Sequence, residues 1–145
     1  MNIKEELYKP LPSEALKPHP SKSYLTTIKP IYVTDRLNDV FGLEGWTNEV
    51  EVVSIKEIGK RWWIVAKVTL ICGKIRREQY GGNDNPDFGD AFKGAVTDGL
   101  TKCASYIGVG ADVYKGKTRT PKNNSVFDDL QYEDGHLNSI SQEVK

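Results

Sequence analysis

The sequence has no apolar run approaching the ~18 residues of a membrane helix, and Met1 to Pro10 holds no signal-peptide core. A soluble, intracellular domain is therefore expected, with no membrane contact. Cysteine is scarce. Cys72 and Cys103 stand apart without a CxxC or Cys/His cluster, so a structural zinc site lacks ligands and two buried thiols are expected. The two histidines, His19 and His136, fall in loop-like segments and offer little to a Ser/His/Asp or Cys/His machine. No GxxxxGK[ST] loop exists to cradle phosphates. Gly108-Val109-Gly110 opens like a dinucleotide fingerprint, but Val113 stands where the third glycine belongs. Asn83, Asn85 and Asp87 imitate the first EF-hand ligands, yet Pro86 intrudes and Gly94 takes the place of the bidentate Glu. No catalytic constellation, metal site or cofactor is expected.

Net charge is also absent, with 20 Lys+Arg against 20 Asp+Glu, so bulk charge argues for no nucleic-acid partner. The distribution differs. Between Lys56 and Arg77 lie seven basic residues (Lys56, Lys60, Arg61, Lys67, Lys74, Arg76 and Arg77) and one acid, Glu57. A local field of this kind matters even when the total vanishes. The same excess equally suits a solvated sheet edge kept from aggregating.

What is present fits one domain of 145 residues, large enough to bury a core without staples. Five of the seven prolines fall between Pro10 and Pro30, predicting an extended loop after a short helix at Lys4–Tyr8. Pro30 suits the first turn of a helix capped by Thr27, whose stripe of Val33, Leu37 and Val40 ends at Phe41-Gly42. From Trp46 the period becomes two. Val50 and Val52 alternate with Glu49 and Glu51. After a turn at Ile58-Gly59-Lys60, the run Arg61 to Cys72 places Trp62, Ile64, Ala66, Val68, Leu70 and Cys72 on one face. Gly73 turns the chain into Lys74–Tyr80, and three strands in hairpin succession make an antiparallel meander. Gly81 to Pro86 reads as a loop. A helix over residues 87–107 follows, with Phe92, Val96, Leu100, Cys103 and Ile107 in one arc and Lys102 nearly opposite, facing solvent or ligand. Gly94 and Gly99 inside it each cost about 1 kcal/mol against Ala, which points to close packing or a closely approaching ligand. Residues 117–145 read as a disordered tail, basic and then acidic.

Aromatic and basic residues interleave in Arg61-Trp62-Trp63 and Arg76-Arg77-Glu78-Gln79-Tyr80, the combination that binds single-stranded nucleic acid. For Trp62 the core is the favoured role; Trp63 is open to either.

The segment AVTDGLTKCASYIGVG (Ala95 to Gly110) resembles the helix of the Rad52 family of single-strand annealing proteins, with its bacterial DdrA-like and phage members. TDRLNDVFGLEGW (Thr34 to Trp46) is similar to the family's helix closing on a Phe-Gly-x-x-Gly-Trp turn. The resemblance covers about residues 22–115. It implies an α+β fold, a three-stranded antiparallel meander packed by a long helix in a β-β-β-α core that forms rings. Residues 1–21 then form an N-terminal extension, 22–116 the annealing core and 117–145 the tail. It further implies an ATP-independent protein, not an enzyme, that binds single-stranded DNA in a basic groove and pairs complementary strands in recombination and repair. Lys102 carries over to the family's groove cations. Thr101 and Ser105 stand where relatives carry further basic residues, so the groove is either weaker per protomer or borrows the sheet's Lys67, Arg76 and Arg77, with Lys74, Lys60 and Arg61 beside them. Implied partners are single-stranded DNA, further copies of the chain, and a single-strand-binding or recombinase protein at the tail. Two rivals remain: a non-annealing accessory module that binds protein through the acidic tail, and a small metal-dependent nuclease.

Overall fold

The computed structural model describes residues 1–116; the expected tail lies outside the described residues. In chain order the elements are α1 (Ile3–Tyr8), β1 (Leu16–Pro18), β2 (Thr26–Ile28), α2 (Pro30–Phe41), β3 (Thr47–Ile58), β4 (Arg61–Cys72), β5 (Ile75–Asn85), α3 (Phe88–Tyr106) and α4 (Ala111–Tyr114). One turn of 3-10 helix, Ser13–Ala15, precedes β1. The sheet order is β3-β4-β5, antiparallel throughout, and α3 crosses β4 and β5 on one face. This is the α+β meander-and-helix arrangement that the sequence periodicity predicts.

The strong alternation in β4 explains the layering. Ile64, Ala66, Val68, Leu70 and Cys72 are buried on the side facing α3, while Arg61, Trp63, Val65 and Lys67 point to the other side. Hairpin turns at Gly59 and Gly73 use positive φ angles of 65° and 62°. A register shift between Val52 and Ser54 puts a bulge in β3.

Three expectations need correction. Gly81 to Pro86 was expected as a loop, yet β5 runs through Gly81 and Gly82 to Asn85. The glycines serve contact with the helix, not a turn: a Cβ at Gly81 would collide with the carbonyl oxygen of Ala95 and the backbone of Gly99. The helix stripe is also rotated from the expected arc. Cys103 and Ile107 are buried, but the rest of the seam on the sheet consists of Ala91, Ala95 and Gly99, while Phe92, Val96 and Leu100 are half-buried along its flank. Small residues at i, i+4 and i+8 let the helix approach β5 closely. Finally, Thr27 does not cap α2. It lies in β2 and its hydroxyl donates to the Lys17 carbonyl at 3.1 Å, while Lys29 occupies the cap position without a side-chain bond.

The proline-rich stretch is more ordered than a loop. β1 and β2 form a short antiparallel hairpin, Leu16 opposite Ile28 and Lys17 opposite Thr27. The first 21 residues also supply Leu7, Leu11 and Ala15 to the main core, beside Val33 and Leu37 of α2. Asn2 caps α1 by accepting from the Glu5 amide at 3.1 Å. At the other end of α1 the Arg36 guanidinium donates to the carbonyls of Glu6, Leu7, Lys9 and Pro10, satisfying acceptors that the helix end leaves open.

Candidate nucleic-acid interface

The expected DNA-contacting residues divide into separate places. Lys67 and Arg76 lie on the sheet face turned away from α3, so neither shares a groove floor with Lys102. Lys60 and Lys74 sit in the turns at opposite ends of β4, a strand length of roughly 40 Å apart. Arg77 is on the α3 side of β5, exposed, with its guanidinium donating to the Arg76 carbonyl at 2.9 Å.

The strand register also offsets the local basic excess. Lys67 meets Glu78 at 3.4 Å, Arg76 meets Glu78 at 3.7 Å and Glu49 at 3.9 Å, and Arg61 meets Asp84 at 2.7 Å. The acids come from β3 and β5, outside the basic stretch from Lys56 to Arg77. This face therefore carries paired charges around exposed Trp63, Val65 and Tyr80. Trp62 takes the core role: it is half-buried, with its ring edge-on to Phe88 at 5.1 Å.

Lys102 belongs elsewhere. It opens onto a groove of about 590 Å³ between the β1–β2 hairpin and α3. One wall presents Lys17, His19 and Lys22; the other presents Thr97, Asp98 and Lys102. Between the walls lie Gly82 and Asn83 of β5 and Gly94 of α3, with the Asn83 side chain over Gly94 and its amide donating to the Asp90 carbonyl at 3.3 Å. Among the described residues, no carboxylate lies within ion-pair distance of Lys17 or Lys22. Lys102 pairs with Asp98 at 3.1 Å, one helical turn earlier.

The hairpin tip is shaped by His19. Its Nδ1 accepts the backbone amides of Ser21 at 3.2 Å and Lys22 at 3.1 Å, which turns Lys22 toward the groove wall. Burial, and then the nearby Lys22 charge, hold the imidazole pKa below its ordinary value, so the neutral acceptor form is favoured. Thr101 is buried and its hydroxyl donates to the Thr97 carbonyl at 2.8 Å, leaving no group for a phosphate. Ser105 donates to the Lys102 carbonyl at 2.6 Å.

A second cavity of about 260 Å³ lies beyond Lys102, lined by Gln79, Ser105, Tyr106 and Lys115. Tyr114 borders both spaces, and burial, then the Asp98 charge, raises its phenol pKa.

Lys17, Lys22 and His19 escape sequence reasoning. The hairpin has three residues per strand, too short for a period, and its prolines read as loop. Alternation of Lys17 with apolar Leu16, opposite Thr26-Thr27-Ile28, is the only signal it leaves.

The family model described as Rad52/22 family double-strand break repair protein matches residues 1–131, and the chain belongs to that family. Membership places it among proteins of DNA repair and recombination that bind DNA and act by single-strand annealing. No curated protein sequence matches it significantly. Among the described residues no helix is long and apolar enough to cross a membrane.

Proposed function

We propose that this protein binds single-stranded DNA in the hairpin–helix groove and anneals complementary strands without ATP, as a homo-oligomeric ring and not as an enzyme. The observation that carries the reading is the opposition of Lys17 and Lys22 on the hairpin to Lys102 on α3 across one groove. Cations on two walls hold a phosphate backbone by charge, a contact that carries no base sequence. Base edges then remain free to test a second strand. Annealing makes and breaks no covalent bond, so the groove needs neither a nucleophile nor a bound nucleotide.

Three lysines give modest affinity alone. Repetition around a ring joins the grooves into one track, where each further contact is made at high effective concentration. The exposed cations Lys60, Lys74 and Arg77 contact DNA outside the groove, and the ion-paired Arg61, Lys67 and Arg76 contribute less. Residues 117–145, with acids such as Asp128, Asp129 and Glu133, are the proposed contact for a single-strand-binding or recombinase protein.

Fluorescence-detected annealing of two complementary oligonucleotides, with chelator present and nucleotide omitted, tests the reading. Annealing faster than the uncatalysed rate is expected. A requirement for ATP or a divalent metal, or strand cleavage, would contradict it. Electron microscopy of the same sample tests the ring, and monodisperse monomers with and without oligonucleotide would remove that part.

A further inference from the structure

Asp98 occupies an odd place for an acid. It lines the wall of a groove whose other charged side chains are Lys17, Lys22 and Lys102. Its Oδ2 has two partners at once: the backbone N–H of Gly82 on β5 donates to it at 3.0 Å, and the Lys102 ammonium lies 3.1 Å away. The first contact ties α3 to the outer strand of the sheet. The second holds Lys102 along the groove wall, with both side chains about one-third exposed, at 32% and 38%.

A lysine held in this way is already neutralised before any ligand arrives. An incoming phosphate must take the ammonium from Asp98. The carboxylate then keeps the Gly82 amide and loses its cation, so a cation from solution replaces Lys102 beside it. That uptake cancels the cation which the phosphate releases on meeting Lys102. The exchange lowers both the affinity that Lys102 supplies and the salt dependence it should bring.

We propose that Asp98 is a built-in counter-ion that competes with DNA phosphate for Lys102 and so sets how tightly the groove holds a strand. The inference rests on the groove being the single-strand site. Asp98 is a positioning residue here and touches no DNA itself. Its consequence suits annealing, since a strand held by an exchangeable contact can shift register while its bases search for a complement.

Asp98→Asn separates the two contacts. The amide oxygen still accepts from Gly82, while the charge facing Lys102 is gone. Binding of a labelled oligothymidine is titrated across a salt series for the full chain, Asp98→Asn, Lys102→Ala and the double variant, with thermal unfolding and light scattering on each. Asp98→Asn should bind roughly two- to fivefold more tightly per engaged protomer, the range an exposed ion pair commands. Its log affinity against log salt plot should steepen by up to about 0.7 per protomer contact. In the Lys102→Ala background both gains should vanish, because there is no ammonium left to release. A purely structural Asp98 would move the unfolding temperature and leave the salt slope alone. If Asp98→Asn does not fold, Asp98→Ser, which keeps an oxygen acceptor and removes the charge, is judged by the same criteria. Equal or weaker binding by the folded variant overturns the counter-ion role, as does a gain that survives in the double variant. Failure of the unmodified chain to bind the oligonucleotide would instead remove the functional reading itself, and this inference with it.

Discussion

The Arg36 guanidinium on α2 donates to the carbonyl oxygen of Lys9 at 2.6 Å, tying the second helix to the chain that leaves the first. Three more carbonyls, from Glu6, Leu7 and Pro10, lie within reach of the same side chain. Leu7 and Leu11, on either side of these carbonyls, are buried in the core.

Arg36→Ala should therefore destabilise the whole domain and not merely release its first turn. Hydrogen bonds from a charged donor contribute about 1.5–3 kcal/mol, and the low end applies to a half-exposed site. A urea melt should show an earlier midpoint with cooperativity retained. An unchanged midpoint would mean that the N-terminal segment stands on its apolar contacts alone.

Glycines on and under α3 should rank by what a methyl group would strike. At Gly81 it meets the Ala95 carbonyl and the Gly99 backbone, which cannot move separately; at Gly99 it meets the Val68 side chain. At Gly94 it meets only the Asn83 side chain. Gly81→Ala should then cost most and Gly99→Ala next, in or above the range of about 1–3 kcal/mol for overpacking. Gly94→Ala should cost least, because helix propensity returns up to about 1 kcal/mol. Thermal melts of the three variants check the order.

The same glycines show where sequence reading failed and why. β4 was legible because its alternation is long and unbroken from Trp62 to Cys72, and the meander followed from it. Gly81-Gly82 has turn composition, so its use as a flat contact with α3 could not be read locally. On α3 the largest apolar residues mark the flank, whereas Ala91, Ala95 and Gly99 mark the seam, and hydrophobicity alone ranks them the wrong way. That Lys102 stands off the buried seam of α3 was legible from helical periodicity. Its partners across the groove were not, since Lys17 and Lys22 meet α3 only through folding. The ion pairs of Lys67 and Arg76 depend on strand register, which a count of charges along the chain does not contain.

Both thiols should resist alkylation in the folded protein. Cys103 is fully buried, its Sγ donates to the Val68 carbonyl at 3.3 Å, and burial pushes its pKa up to about 11. Burial also raises the Cys72 pKa. Reaction with iodoacetamide at neutral pH should be slow and follow global unfolding, since it is the thiolate that reacts. Fast labelling of Cys103 without unfolding would show that the α3 seam opens locally.

Acid should loosen the hairpin through His19. Its folded pKa lies below the ordinary 6.5, so the unfolded chain binds the proton at higher pH than the folded one. The contribution is complete above about pH 6.5 and is lost as pH falls through the folded value. Protonated Nδ1 can no longer accept from the Ser21 and Lys22 amides. Between about pH 7 and pH 5, the unmodified chain should lose more stability than His19→Asn. A parallel pH profile for the two would contradict this account.

The most direct measurement compares two sets of substitutions in one single-strand binding assay across salt. One combines Lys17→Ala, Lys22→Ala and Lys102→Ala in the groove; the other combines Lys67→Ala and Arg76→Ala on the opposite sheet face. The groove set should lose most of the affinity and flatten the log affinity against log salt plot, by about 0.7 for each phosphate contact that Lys17 or Lys22 makes and by less for the exchangeable Lys102. The sheet set, whose cations are already paired with Glu78 and Glu49, should bind nearly as the unmodified chain does. Intact affinity and slope in a folded groove variant, with the loss falling on the sheet variant, would place the DNA on the other side of the molecule and contradict the account.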